Sequence, residues 1–195
     1  MPKARLSVSS LTLAAALALL AGCDRESAPD TQPQEAGAGA EAPPAREAVS
    51  RAFAGTELPQ FTATAPDGAT LDLAALKGQP VLLNLWATWC APCKAEMPVL
   101  DAIAGENAGK LRVVTVSEDG KDGREKVPAF FAERNFAHLE PWLDSKQDLS
   151  ISMGVGDMPT TFLYDASGKE VARVTGAYDW EGEEAKALIA EAIGG

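Results

Sequence analysis

The stretch WATWCAPCKAEMP, residues 86–98, contains two cysteines, Cys90 and Cys93, with two residues between them. This spacing limits both the folds and the reactions that the chain can have. Such a pair is a structural disulfide, half of a metal site, or a redox centre. A disulfide that closes so short a loop constrains the unfolded chain little, so stabilisation is a weak reason for it. A zinc site needs about four nitrogen or sulfur ligands, and the chain adds only one other cysteine and one histidine, His138. We therefore predict no metal site and favour a redox pair.

The segments on either side of the pair predict a strand, a helix and a second strand. PVLLNLWA, residues 80–87, is an almost continuous apolar run, which is typical of a strand buried on both faces. A helix is predicted from Cys93 to about Gly105, and LRVVTVSE, residues 111–118, predicts the second strand. Strands joined in this way are parallel, with a right-handed crossover. A C-x-x-C motif close to such a βαβ unit is typical of thioredoxin-like redox proteins.

The rest of residues 52–195 completes an α/β fold with a mixed central sheet flanked by helices. FTATAPDGATLDL, residues 61–73, predicts an N-terminal hairpin, and TTFLYDASGKEVARVTG, residues 160–176, predicts a second antiparallel hairpin. EKVPAFFAERNF and DWEGEEAKALIAEAIGG predict two more helices.

The first 51 residues predict export and a lipid anchor. Residues 1–22 have a basic start and a short apolar run, which are the features of a signal peptide. LLAGC resembles a bacterial lipobox, so Cys23 is the expected site of lipidation, and Asp24 resembles a signal for retention in the inner membrane. Residues 23–51 are rich in Ala, Pro and Glu, and we expect them to form a disordered tether. The predicted location is the periplasmic side of the inner membrane.

The charge of the chain argues against a nucleic-acid partner. The formal net charge is −11, and removal of residues 1–22 with Lys3 and Arg5 changes it to about −13. Binding to nucleic acid depends on neutralising phosphates with Lys and Arg. We therefore expect no nucleic-acid partner.

The position of the cysteines at the start of the predicted helix suits thiol chemistry. Unpaired backbone N–H groups and the helix dipole stabilise a thiolate there, and such placement lowers a cysteine pKa from ~8.5 into the range of ~3.5–7.5. Cys93 lies one helical turn after Cys90 and is in reach to attack a mixed disulfide. Pro92 presets the backbone at the helix start.

The segment NLWATWCAPCKAEMPVL resembles the active-site segment of membrane-anchored thioredoxin-like proteins of the TlpA/ResA/DsbE group. The similarity extends upstream through FTATAPDGATLDLAALKGQPVLLNLW and downstream through GVGDMPTTFLYDASGKEV, covering nearly all of residues 57–177. The resemblance implies a thioredoxin-like fold with an extra N-terminal β-hairpin and an insertion after the βαβ unit.

The resemblance also implies residue roles. Cys90 is expected to be the exposed nucleophile and Cys93 the buried resolving thiol. Pro159 is expected to follow a cis peptide bond and to face the pair, while Met158 offers backbone groups to a substrate. Trp89 is expected to pack at the site and to form a contact surface.

Glu96 matches an acidic residue that this group places near its active site. General thioredoxins instead keep an aspartate in the preceding strand, where this chain has Asn84. Burial is expected to raise the pKa of Glu96, which would suit it to exchange a proton with Cys93.

The predicted function is a membrane-tethered, extracytoplasmic thiol–disulfide oxidoreductase, with a reductase of exported protein disulfides favoured. The resemblance implies apocytochrome c as a substrate and a membrane thiol-electron donor of the CcdA or DsbD type. No cofactor is expected beyond the dithiol itself. Alternatives are reduction of copper-site cysteines during oxidase assembly, disulfide oxidation, and a non-catalytic binding lipoprotein.

Two related chemistries fit the sequence less well. Copper-delivery proteins of the Sco type space their cysteines C-x-x-x-C, one residue further apart than here. Peroxiredoxins place Thr three and Pro seven residues before the nucleophile, where this chain has Ala87 and Leu83.

Overall fold

The central strand of the domain is β4, Val81–Trp86, and all six of its residues are buried. The computed structural model describes residues 48–195. Strand β4 pairs in parallel with β5, Arg112–Ser117, and antiparallel with β7, Thr160–Tyr164. The continuous apolar run predicted this position because a strand with neighbours on both edges and layers on both faces exposes none of its side chains.

The sheet is mixed, as predicted, and has eight strands in the described residues, in the order β1-β8-β7-β4-β5-β6-β2-β3. The predicted N-terminal hairpin is β2 with β3, and the second predicted hairpin is β7 with β8. The strands not yet defined are β1, Val49–Ser50; β2, Thr62–Thr64; β3, Thr70–Asp72; β6, Trp142–Leu143; and β8, Glu170–Thr175.

Helices cover the sheet, and the sheet separates two apolar clusters. The helices are α1, Ala91–Glu106; α2, Gly123–Arg134; α3, Asp148–Ser152; and α4, Glu183–Gly194. Leu82 and Trp86 of β4 join the cluster that contains the buried residues of α1 and α4, whereas Leu83 and Leu85 join the cluster that contains the N-terminal hairpin. Successive side chains of a strand point to opposite faces of the sheet, so β4 contributes side chains to both clusters. Each fully buried Leu contributes about 1.5–3 kcal/mol relative to an exposed one.

The expected insertion lies between β5 and β7, where α2, β6 and α3 follow one another. Strand β6 pairs in parallel with β5 and antiparallel with β2, so this segment joins the N-terminal hairpin to the sheet. The fold is thioredoxin-like with both predicted additions.

Two predicted boundaries were wrong. The helix after the cysteine motif begins at Ala91, not at Cys93, because Cys90 acts as its N-cap. The sheet begins before residue 52, since Val49 pairs with Val174 and Ser50 with Arg173. No local pattern marks a two-residue edge strand, because its hydrogen bonds come from a strand more than a hundred residues later.

The predicted signal peptide, the lipidation site Cys23 and most of the predicted tether lie outside the described residues. Within residues 48–195, no helix has the length and apolar character that a membrane span requires.

Candidate active site

Cys90 and Cys93 form a disulfide at the N-terminus of α1, with their Cα atoms 5.3 Å apart. The backbone N–H of Cys93 donates to Sγ of Cys90 at 3.2 Å, so the sulfur takes the place of a capping oxygen. Pro92 lies in the first turn of α1, where the backbone N–H groups have no partner within the helix. The missing N–H of proline therefore costs the helix no hydrogen bond. The positive end of the helix dipole therefore points at Sγ of Cys90, which favours a thiolate there on reduction.

The two sulfur-bearing residues differ in accessibility. Cys90 is 5% exposed and Cys93 is fully buried. The expectation of an exposed Cys90 was too strong, because the disulfide and its neighbours cover most of the residue. Cys90 is still the more accessible cysteine of the two.

A carboxylate that the sequence analysis missed holds the loop before Cys90. Asp119 accepts hydrogen bonds from the Thr88 N–H at 2.8 Å, the Thr88 hydroxyl at 2.6 Å and the Ser117 hydroxyl at 2.7 Å. Asp119 follows β5 and Thr88 follows β4, and these neighbouring strands are parallel. Since the carboxyl ends of adjacent parallel strands meet at one sheet edge, a polar residue after β5 was a usable signal.

Glu96 is buried on α1, one helical turn after Cys93, and receives two hydrogen bonds. The side-chain amide of Asn84 donates to Oε1 of Glu96 at 3.0 Å, and the indole N–H of Trp180 donates to Oε2 at 3.3 Å. Burial raises the pKa of Glu96 to about 7, and these two donors only partly oppose that rise. The group therefore changes charge near neutral pH, which suits it to accept and release protons.

The network continues to the strand after the cis-proline. Asn84 also donates to Oγ1 of Thr161 at 2.9 Å, while its own Oδ1 is buried without a hydrogen-bond partner among residues 48–195. Asn84 and Glu96 were singled out separately in the sequence, but their contact and the part of Trp180 emerge only in the structure.

Two of the expected substrate-contact residues, Trp89 and Met158, border a depression next to the residues that precede Cys90 and Pro159 in the chain. The Met158–Pro159 peptide bond is cis, in agreement with the resemblance. Met158 and Trp89 line a depression of about 500 Å³ together with Ile151 on α3. Trp89 is 66% exposed and Ile151 is 75% exposed, so two large apolar side chains face solvent on the same depression, as at a contact surface. The sequence analysis did not identify Ile151.

A second buried carboxyl group, also missed, lies next to the Asp119 loop. Glu118 is fully buried, and one of its oxygens accepts a hydrogen bond from the Ser150 hydroxyl at 2.8 Å. Burial raises the pKa of Glu118 to about 7. Its backbone carbonyl accepts from the Gln147 side chain at 2.9 Å, so Glu118 connects the end of β5 to α3.

Comparison with known proteins agrees with this geometry. Residues 54–172 match the AhpC/TSA family. The thiol-disulfide oxidoreductase ResA of Bacillus thuringiensis is 33% identical over 128 residues, which are 63% of this chain and 69% of that protein. The thiol:disulfide interchange protein DsbE of Vibrio cholerae is 34% identical over 116 residues, 58% of this chain and 60% of that protein.

A solved structure shows the same fold. The exposed lipoprotein thioredoxin Etrx1 of Streptococcus pneumoniae superposes with a TM-score of 0.56 at 30% sequence identity. The superposition covers 66% of this chain and 96% of that one. The similarity therefore extends over almost the whole of the solved domain.

Proposed function

The chain belongs to the AhpC/TSA family and is a thiol–disulfide oxidoreductase, and we propose that it works as a reductase of disulfides in exported proteins. The observation that carries the direction is that no side chain between the cysteines adds to the support that the start of α1 gives to a Cys90 thiolate. Ala91 and Pro92, between the cysteines, bring neither a positive charge nor a side-chain donor. Two carboxyl groups belong to the surrounding elements: Glu96 lies three residues after Cys93 on α1, and Asp119 is bonded to Thr88, two residues before Cys90. A disulfide becomes a strong oxidant when its reduced form is stabilised, and these neighbours do the opposite.

The reaction proceeds by two exchanges of sulfur bonds. The Cys90 thiolate attacks one sulfur of the substrate disulfide, forms a mixed disulfide and releases the other substrate sulfur as a thiolate. Cys93 then loses its proton and attacks Sγ of Cys90, which releases the second substrate sulfur. Two electrons pass from the cysteine pair to the substrate, and the pair ends as the disulfide seen here.

We further propose a lipid anchor at Cys23 that holds the domain at the outer face of the cytoplasmic membrane. The lipobox-like LLAGC supports this location, and the structural relative Etrx1 is itself named a lipoprotein. Through the resemblance, the haem-binding cysteines of apocytochrome c are the proposed substrate, and a membrane protein of the CcdA or DsbD type is the proposed electron donor.

The equilibrium reduction potential of the pair tests the direction. The full chain carrying Cys23→Ser, in which Cys90 and Cys93 are the remaining thiols, is equilibrated in glutathione and dithiothreitol buffers. We expect a value near or below about −250 mV, toward the thioredoxin end of the known range. A value near about −120 mV would mark a strong oxidant and overturn the reductase proposal.

Trapping tests the substrate. The Cys93→Ser variant cannot resolve its mixed disulfide, so partners remain bound to Cys90 and can be identified after isolation. Recovery of c-type apocytochromes supports the proposed substrate. Recovery of copper-site proteins instead would support the alternative in oxidase assembly.

A further inference from the structure

A narrow groove reaches Glu96 from the side of the domain. Its volume is about 260 Å³, and it runs between the start of α1 and the connection from β8 to α4. Pro92, Ala95 and Val99 line one wall, and Ala177, Tyr178 and Trp180 line the other. The lining of this groove shares no residue with the depression beside Trp89 and Met158. Glu96 therefore has access to solvent that a bound substrate would not block.

Trp180 is held rigidly at this groove. It is 3% exposed, belongs to the same apolar cluster as Cys90 and Cys93, and packs edge-on against Tyr178 with 5.1 Å between ring centroids. An indole ring has a single N–H group, so a ring that cannot move points this hydrogen-bond donor in one fixed direction. Here the donor is directed at Oε2 of Glu96.

The two donors on Glu96 come from opposite sides of the carboxyl group. Asn84 on β4 binds Oε1 and Trp180 binds Oε2. A carboxyl group with both oxygens bound loses its rotational freedom, so its position relative to Cys93, one helical turn earlier, becomes fixed.

We propose that Trp180 is a positioning residue for Glu96, and that the groove it lines is the path by which Glu96 exchanges its proton with solvent. The proposal rests on the proposed function, since it concerns the step in which Cys93 resolves the mixed disulfide. Glu96 as the carboxylate takes the proton from the Cys93 thiol. The thiolate then attacks Sγ of Cys90, the bond from Cys90 to the substrate breaks, and the substrate leaves as a thiolate. Glu96 afterwards gives its proton to water in the groove.

Among the groups around this carboxyl, Glu96 is the one that we expect to change its protonation state in this step. Asn84 and Thr161, from β4 and β7, are neutral. The titratable neighbours in the groove are Tyr178, Asp179 and Glu181, all on the connection between β8 and α4. Burial raises the pKa of Tyr178 to about 12, so this phenol stays neutral where Glu96 titrates. Cys93, one helical turn before Glu96 on α1, is the other titratable group that takes part in the step.

The test follows the pH dependence of the resolving step. The reduced full chain carrying Cys23→Ser is mixed with an aromatic disulfide that releases a coloured thiol. Attack by Cys90 releases the first coloured thiol, and resolution by Cys93 releases the second. The rate of the second release is measured against pH in the parent, Trp180→Phe and Trp142→Phe.

Trp142 offers a matched control. Its indole N–H also donates to a glutamate, Glu140, at 3.2 Å, and its ring is also buried, but it belongs to the other apolar cluster. The two substitutions therefore remove the same kind of bond, one at Glu96 and one away from it.

In Trp180→Phe we expect the pH of half-maximal rate for the second release to rise by about one unit. A hydrogen bond to a charged group shifts the balance between charged and neutral forms by about tenfold, and its loss raises the pKa of Glu96. The profile of Trp142→Phe should match the parent. An unshifted profile in Trp180→Phe, or an equal shift in both variants, overturns the role of Trp180. If the parent releases no second thiol, the proposed function itself fails.

A measurement that leaves Trp180 in place keeps the proposal testable if Trp180→Phe does not fold. The indole N–H resonance of Trp180 in the oxidised chain should shift with pH around a midpoint near 7, following Glu96. Loss of that titration in Glu96→Gln supports the bond. A Trp180 resonance that ignores pH between about 6 and 8 in the parent would overturn it.

Discussion

Replacing Asp119 should loosen the loop that leads to the cysteine pair. Its carboxylate accepts three hydrogen bonds, two from Thr88 and one from Ser117, between 2.6 and 2.8 Å. Bonds to a charged group are each worth roughly 1.5–3 kcal/mol, so the three together set an upper limit of several kcal/mol. Thr88 is partly exposed and its groups can bind water after the loss of the carboxylate, whereas the Ser117 hydroxyl stays buried. We expect Asp119→Ala to lower the free energy of unfolding by about 2–4 kcal/mol.

Urea unfolding of the parent and the variant measures this loss. Asp122→Ala serves as the control, because Asp122 lies three residues later and forms an exposed ion pair with Lys126 at the surface. Its unfolding midpoint should equal that of the parent. Hydrogen exchange adds a local reading, since the Thr88 N–H should lose its protection in Asp119→Ala while the interior of β4 keeps its own.

If Asp119→Ala unfolds at the parent's urea concentration, the Asp119 carboxylate adds no stability and the prediction is wrong. An equal loss of stability in Asp122→Ala would also contradict the prediction, because the effect would then be one of net charge. A loss of stability with full protection at Thr88 would show that the carboxylate supports β5 and not the loop before Cys90.

Four further outcomes are expected. Cys90→Ser should abolish reduction of a protein disulfide such as that of insulin, whereas Cys93→Ser should accumulate mixed disulfides; multiple turnovers by Cys93→Ser would reverse the assigned roles. Because burial raises the pKa of Glu118 from 4.5 to about 7, its contribution to stability is fully present below about pH 4.5 and is lost as pH rises through 7. Glu118→Gln should therefore raise the urea midpoint relative to the parent at pH 8 by more than at pH 5, and equal differences at the two pH values would contradict this. Ile151→Ser should slow reduction of polypeptide disulfides several-fold and leave small disulfides unaffected, since Ile151 borders the depression beside Trp89 and Met158; equal slowing of both would point to a general defect. Cys23→Ala should release the chain from membranes or stall its processing, as fractionation would show, and unchanged attachment would argue for a retained N-terminal anchor.

Local sequence was sufficient to predict the central strand, the cysteine motif after it and the two hairpins of this domain. The almost continuous apolar run of β4 and the C-x-x-C motif after it place a redox pair at the end of a buried strand, and both hairpins follow from alternation around a turn. These features depend on residues that are close together in the sequence, so the pattern of apolar and polar residues is sufficient to predict them. The helix boundary was less accurate, because capping by the sulfur of Cys90 has no counterpart among the usual capping oxygens.

The cis bond before Pro159 is an intermediate case. Nothing in the local sequence predicts that the Met158–Pro159 bond is cis, and the expectation of a cis bond came from the resemblance to a family. Short edge pairing was missed altogether, since Val49 and Ser50 become a strand only through β8.

By itself, the sequence determined that the chain carries a dithiol at the start of a helix in a thioredoxin-like domain, and it named Glu96 as the acid beside it. Only the tertiary structure decided how that acid behaves. The donor from Trp180 is 84 residues away in the chain and the link from Asn84 to Thr161 spans 77 residues. The burial that raises the pKa of Glu96 comes from elements folded over it. A pKa depends on desolvation and on the groups within a few ångströms, and those distances exist only after the chain has folded.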